Sequence, residues 1–273
     1  MSLSQIPSPD EQRGDPNPGS GAPVPSAMSM IHLVKVYGQN VAVADLSLEI
    51  PKGSFYGIVG PNGAGKTTTL SMATGLLVPD RGTALIEGVD IWQDPQAAKK
   101  KLGVMPDGLR IFDRLSGPDY LTYVALLRGL SPQEAQVRTR DLLQALDLAD
   151  VGRKIITDYS AGMAKKIALG AALIHSPHVV VLDEPFESVD PISSANIRSI
   201  LQTFVASGGT VVLSSHVMAT VEKLCDHVAI INRGQVVAAG TVEEVAAGEE
   251  LETRFAQLVG AHVTQGGLPW LGS

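Results

Sequence analysis

The chain has 273 residues, 44% of them hydrophobic, which is enough for a sizeable core in one large domain or two small ones. A formal net charge of −7 argues against a nucleic-acid-coating surface, which needs a basic excess to displace counterions. The single cysteine, Cys225, excludes an internal disulfide and a metal site built from thiolates alone, and fits a reducing compartment.

Residues 1–28 are rich in Pro, Ser and Gly, carry almost no apolar periodicity, and are expected to form a disordered tail. They lack the basic start and apolar core of a secretory signal. No run approaches the roughly 18 apolar residues that span a bilayer. The longest apolar tract, 167–174, is followed by His175, Pro177 and His178. A polypeptide soluble by itself is expected, which would act at a membrane only through a partner.

From Ile31 the pattern turns to strands and helices. IHLVKVY and VAVADLSLEI alternate or run apolar as strands do, and SFYGIVG suits a short buried strand. A Gly-rich segment at 60–68 follows, then a helix predicted over 68–77 and closed by Pro79, then TALIEGVDI as one further strand. VMPDGL, residues 104–109, is a turn signal: proline presets φ, Asp107 can bond nearby backbone, and Gly108 accepts positive φ. Nothing inside those six residues decides whether Asp107 does more than turn the chain.

The middle is predicted helical, with one helix over 118–128 and a second over 131–146. Ser131, Pro132 and Glu134 make a capping box at the start of the second. Residues 105–160 are therefore expected to form a helical subdomain inserted between two β-containing halves. The second half alternates again: a helix over 162–174, the strand HVVVLDE, a helix over 193–206, the strand GTVVLSSH, and a short helix over 218–225. HVAIINRGQVVAAG reads as a hairpin about Arg233 and Gly234, Thr241 and Glu244 start another capped helix, and one short helix is expected beyond Gly248. No fixed short repeat is visible.

Residues 60–67, Gly60-Pro61-Asn62-Gly63-Ala64-Gly65-Lys66-Thr67, match the phosphate-loop pattern in full, after a buried strand and at the start of a helix. Glycines let consecutive N–H groups curl around an anion, and the helix N-terminus adds partial positive charge. Lys66 is placed to reach the β and γ phosphates of a nucleotide, Thr67 to hold Mg²⁺, and Thr68 to continue the cradle. Val179 to Leu182 form an apolar strand ending in Asp183 and Glu184, at the edge where α/β sheets place ligands. Asp183 suits a Mg²⁺ contact, and Glu184, pointing the other way, suits a general base for an attacking water.

These motifs, taken in order, resemble the nucleotide-binding subunit of ATP-binding cassette proteins over roughly 30–245. Tyr159-Ser160-Ala161-Gly162-Met163 resembles the family signature in a form common among bacterial exporter subunits. Glu187-Ser188-Val189-Asp190 is similar to the loop after the catalytic glutamate, His216 falls at the switch histidine, and Tyr37 at the aromatic that stacks on adenine. Asp107 falls where the family usually carries glutamine or glutamate, the residue that touches Mg²⁺ and the attacking water. Its oxygens would fall short of a glutamate's by about one carbon-carbon bond, ~1.5 Å. Each residue also has a plainer use: Ser160 is a sound helix cap, Tyr37 can pack a strand, and a histidine at a strand end is common on surfaces.

The resemblance implies an α/β fold of the phosphate-loop NTPase class: a mixed sheet core, an antiparallel β subdomain and the inserted helical subdomain, spanning 29–248, with a short helix and tail over 249–273. It implies ATP and Mg²⁺ as ligands, with Glu184 and His216 catalytic and Thr67, Asp183 and Asp107 facing the metal. Tyr37, the loop at 60–68, Ser160 and Gly162 would then contact nucleotide. Two cassettes are expected to pack head to tail, the second copy identical to the first, each signature closing on the partner's ATP. The expected partner is a separate integral membrane permease, an exporter, served at the cytoplasmic face of the membrane, with no nucleic acid involved. A soluble cassette ATPase acting on ribosomes or DNA, and a regulatory subunit that hydrolyses ATP poorly, remain as alternatives.

Overall fold

Two sheets organise the residues that the computed structural model describes, 26–107 and 114–260. The chain opens with strands β1 (Ser26–Tyr37), β2 (Asn40–Pro51) and β3 (Phe55–Val59), then helix α1 (Lys66–Ala73). β4 (Arg81–Ile86), β5 (Val89–Asp90), α2 (Pro95–Lys101) and β6 (Leu102–Met105) complete the first half. The first sheet is antiparallel, in the order β2-β1-β4-β5.

β1 begins at Ser26, so residues 26–28 are not tail as the composition suggested. Ala27 and Met28 are buried, and Met28 pairs with Ile50 on one side and Ile86 on the other. A central strand gains hydrogen bonds from two neighbours, which outweighs the weak local signal of SAMSM. TALIEGVDI is likewise two strands rather than one. Glu87 (φ 46°) and Gly88 (φ 78°) form the two-residue turn that twists correctly into a hairpin, setting Ile86 opposite Val89. The helix predicted over 68–77 starts two residues earlier and stops at Ala73, with Thr74 as its cap and Gly75 (φ 72°) beyond, rather than at Pro79.

α2 and β6 have no counterpart in the sequence reading. Asp94 caps α2 by accepting from the Ala97 N–H (3.0 Å), with proline at the first helical position. β6 pairs in parallel with β7 (Val179–Asp183), so Val104 and Met105 end a sheet strand and Asp107 stands in the turn just beyond it. Met105 therefore lies in the sheet, and the helical insert begins after it. Gly108, read as part of the same turn, lies outside the described residues, as do residues 1–25 of the tail and 261–273 of the C-terminus.

The insert contains α3 (Gly117–Leu127), α4 (Pro132–Ala145) and two 3-10 turns, Ala149–Val151 and Ile156–Asp158. The capping box of α4 forms as read, between the Ser131 and Glu134 side chains and backbones. α5 (Ala161–Leu173) follows, then β7, α6 (Pro191–Ala206), β8 (Thr210–Ser215), α7 (Met218–Leu224), β9 (His227–Asn232), β10 (Gln235–Thr241), α8 (Val242–Ala246) and α9 (Leu251–Val259). The hairpin turn between β9 and β10 holds Arg233 at φ 50° and Gly234 at φ 76°.

The second sheet has the order β10-β9-β3-β8-β7-β6, parallel except for β10. Its central strands are buried on both faces, which explains their unbroken apolar runs. Along β7, Val180 and Leu182 join a core with Leu121, Leu143 and Ile167 of the helices, while Val179 and Val181 join the core beneath the antiparallel sheet with Met30, Ile50 and Met72. Alternation across one strand thus ties both layers together. The helical insert shares its core with the main sheet and helices.

Candidate functional site

β3 delivers the chain into the phosphate loop, and the backbone there has no room for side chains at two glycines. A Cβ at Gly60 would lie 2.3 Å from the Ile231 carbonyl oxygen; one at Gly65, held at φ 101°, would lie 2.4 Å from that of Ala42. The loop is also tied to its neighbours: the Gly234 N–H donates to the Ala64 carbonyl (2.8 Å) and the Ala44 N–H donates to that of Gly234 (2.9 Å). The β9–β10 turn therefore props the loop against β2.

α1 begins at Lys66 with Gly65 as its cap, no side chain bonds its first N–H groups, and its first turn holds no acidic residue. Unclaimed donors and an uncompensated helix dipole suit an anion. Lys66 is buried and its ammonium donates to the Gly60 carbonyl (2.7 Å). Burial pulls its pKa down, opposed by the Glu184 carboxylate and then by Asp183. These two carboxylates are thus the acidic side of a site whose basic side is the loop.

β7 and β8 position that acidic side. Asp183 is the last residue of β7 and is buried, with the Ser214 hydroxyl of β8 donating to its Oδ1. Glu184 leaves the strand in the left-handed region (φ 48°), and its N–H donates to the same Ser214 oxygen (2.9 Å). One buried hydroxyl thus bonds both the Asp183 carboxylate and the Glu184 backbone. His216, directly after β8, brings Nδ1 within 3.1 Å of Glu184 Oε1.

A cleft of ≈ 620 Å³ unites Tyr37, loop residues Asn62, Gly63, Ala64, Gly65, Lys66, Thr67 and Thr68, and Asp107, Glu184 and His216. Gly60, Pro61 and Asp183 stand outside its lining: Gly60 and Pro61 through their carbonyls facing Lys66, Asp183 through Ser214. Tyr37, half exposed at the end of β1, carries the Lys35 ammonium 5.8 Å from its ring centroid. Asp107 is exposed, with Oδ1 3.9 Å from the Lys165 ammonium.

Ser160 and Gly162 are not brought to this cleft. Ser160 caps α5, accepting from the Met163 N–H (3.3 Å), and is exposed. Gly162 is buried where α5 meets the start of α6; a Cβ there would lie 2.8 Å from both Asp190 Oδ2 and Ser193 Oγ. Within one chain the signature therefore has a capping residue and a packing residue, at a place apart from the phosphate loop.

Asn40, Val41, Ala42 and Arg233 also line the cleft, without having been singled out in the sequence for that role. Arg233 was legible only as a hairpin turn; the contact of Gly234 with Ala64, distant along the chain, is what places it. Ser214 and Lys165 carry no motif of their own and were likewise missed.

A family model described as ABC transporter matches residues 43–187. The linearmycin resistance ATP-binding protein LnrL of Bacillus subtilis (strain 168) is 35% identical over 210 residues, 77% of this chain and 68% of that protein. The ABC transporter ATP-binding protein NatA of the same organism is 37% identical over 212 residues, 77% of this chain and 86% of that protein. Among solved structures, an ATP-binding subunit of an ABC transporter superposes with a TM-score of 0.79 at 26% identity, covering 85% of this chain and 99% of that one. With the phosphate loop, the paired carboxylates and the two-sheet architecture in place, these likenesses agree: the chain belongs to the ABC transporter family, as an ATP-binding, ATP-hydrolysing subunit.

Proposed function

We propose that MgATP binds in the cleft with its phosphates on the loop at 60–67, and that Glu184 serves as general base for hydrolysis. The observation that carries this reading is the meeting, in one cleft, of the loop's N–H donors and Lys66 with Glu184, His216 and Asp107. Tyr37 supplies an aromatic face for the base. His216 orients the Glu184 carboxylate from 3.1 Å, so that its second oxygen faces the attacking water.

The available metal donors are hard oxygens, the Thr67 hydroxyl and the Asp183 carboxylate, with Asp107 across the cleft. Among the described residues no three His, Cys, Asp or Glu side chains form a metal-holding group by themselves. That fits Mg²⁺, which takes one or two protein ligands and completes its shell with phosphate oxygens and water. When bound it would neutralise charge on the transferred phosphoryl group. Asp107, shorter than the usual residue at its position, would act through a bridging water.

Two chains would pack head to tail, each presenting Ser160 and the start of α5 to the nucleotide on the other. The separation of Ser160 and Gly162 from the cleft within one chain supports this reading. Binding of ATP would favour the closed pair and hydrolysis would release it. No helix among the described residues is long and apolar enough to cross a membrane. The subunit would therefore work at the cytoplasmic face on a separate permease. An exporter is favoured by relatives named for linearmycin resistance, daunorubicin/doxorubicin resistance (in Streptomyces peucetius) and bacitracin transport (in Enterococcus faecalis).

ATP turnover and binding by purified variants test the assignment. Glu184→Gln should retain ATP and lose turnover by about 100-fold or more, while Lys66→Ala should lose affinity as well. Equal turnover in the wild type and Glu184→Gln would remove the base.

A further inference from the structure

The backbone of Glu184 is held from both sides. A non-glycine residue at φ 48° is in a conformation its own Cβ disfavours, so neighbours must maintain it. Its N–H is taken by Ser214 Oγ at 2.9 Å. Its carbonyl accepts from the Lys165 ammonium at 2.8 Å, and more distantly from the Glu187 N–H at 3.3 Å. Lys165 belongs to α5, five residues beyond Ser160, and the same ammonium stands 3.9 Å from Asp107 Oδ1. Its side chain is 21% exposed and that of Asp107 47%, so the contact with the carbonyl is the drier of the two.

One lysine thus joins three parts of the site that sequence keeps apart: the signature helix, the peptide of the proposed base, and the turn after β6. We propose that Lys165 is a positioning residue, which fixes the left-handed Glu184 peptide to α5, with Asp107 as the counter-charge that draws on the same ammonium. This rests on Glu184 being the base. A displacement of α5, or of the turn bearing Asp107, then reaches the carboxylate through a single side chain. A lysine suits this task because its ammonium has three donors, enough to serve a carbonyl and a carboxylate together.

The test compares Lys165→Met, which keeps the apolar stem and removes the donors, with Lys165→Arg, in the purified full-length chain. For Lys165→Met, kcat for ATP should fall about tenfold, while KM and the affinity for a fluorescent ATP analogue change less than about twofold. Lys165→Arg should recover most of that loss. Asp107→Asn should change kcat by a smaller factor in the Lys165→Met background than in the wild type, a coupling that independent sites do not show. Wild-type kcat in Lys165→Met overturns the proposal. So does a loss of affinity and thermal stability that Lys165→Arg fails to rescue, which would mark Lys165 as scaffold. Glu184→Gln is measured beside them: if it turns over as wild type, the base assignment falls and the proposal with it. If it is inactive while Lys165→Met is normal, only the positioning role falls.

Discussion

Ser214→Ala removes one oxygen and should damage both stability and catalysis. The hydroxyl is fully buried, donates to Asp183 Oδ1 and accepts from the Glu184 N–H. A hydrogen bond to a charged group contributes about 1.5–3 kcal/mol and a neutral one about 1 kcal/mol, with the orphaned buried groups adding a desolvation cost. A loss of about 3 kcal/mol follows, which for a domain of this size lowers Tm by about 6–12 °C. Catalysis suffers separately, because the Glu184 peptide loses its N–H anchor and the carboxylate is no longer aimed. Since ~1.4 kcal/mol of barrier is a factor of ten, turnover should drop at least about tenfold in protein that is still fully folded at the assay temperature. The assays are thermal unfolding followed by circular dichroism and steady-state ATP turnover. A Tm within about 2 °C of wild type together with unchanged turnover would refute the placement of this hydroxyl between the two acids.

Gly162→Ala should destabilise by about 1–3 kcal/mol, since its Cβ would meet Asp190 Oδ2 and Ser193 Oγ at 2.8 Å; urea unfolding that matches wild type would show that α5 and α6 do not approach so closely. Stability should also fall with acid in a defined window. His175 donates from Nε2 to the Leu102 carbonyl (3.1 Å), and burial, followed by the Arg128 charge, pushes its pKa down from 6.5 to about 4, with the Leu102 bond opposing and Arg138 adding. The unfolded chain therefore binds the extra proton first, so stability present above pH 6.5 is lost as pH falls towards 4, by no more than about 3 kcal/mol. Glu87 behaves differently: burial raises its pKa, but hydrogen bonds from Lys52, His178 and Lys101 outweigh that and hold it at about 2. Its contribution begins to fade only below its ordinary value of 4.5. A loss between pH 6.5 and 4.5 is thus the signature of His175, and urea melts of His175→Gln should be flatter over that range; equal slopes would discard the assignment.

The phosphate loop was legible because its chemistry is local. Glycines at fixed spacing, a lysine and a threonine at a strand-to-helix junction specify an anion cradle without reference to the rest of the chain. The caps at Ser131, Ser160 and Thr241 were readable for the same reason, as each bonds an N–H three residues ahead. So was β7, whose apolar run ends in Asp183 and Glu184. Strand β1 was only half legible, since Ala27 and Met28 become core only when β2 and β4 lie on either side. β6 escaped because four residues carry too little pattern, and its identity comes from pairing with a strand more than 70 residues away.

For the site, the sequence alone marked the candidate groups: the loop at 60–67, Asp107, Asp183, Glu184 and His216. Tertiary structure decided their orientation and their company. Ser214 bonds both the Asp183 carboxylate and the Glu184 backbone, Gly234 props Ala64, Arg233 enters the cleft, and Lys165 links Asp107 to the Glu184 carbonyl. The reason is range. A motif records interactions spanning a few bonds along the chain, whereas a hydrogen bond across a sheet or between a helix and a strand end exists only after both layers have packed, and leaves no periodicity in the residues that make it.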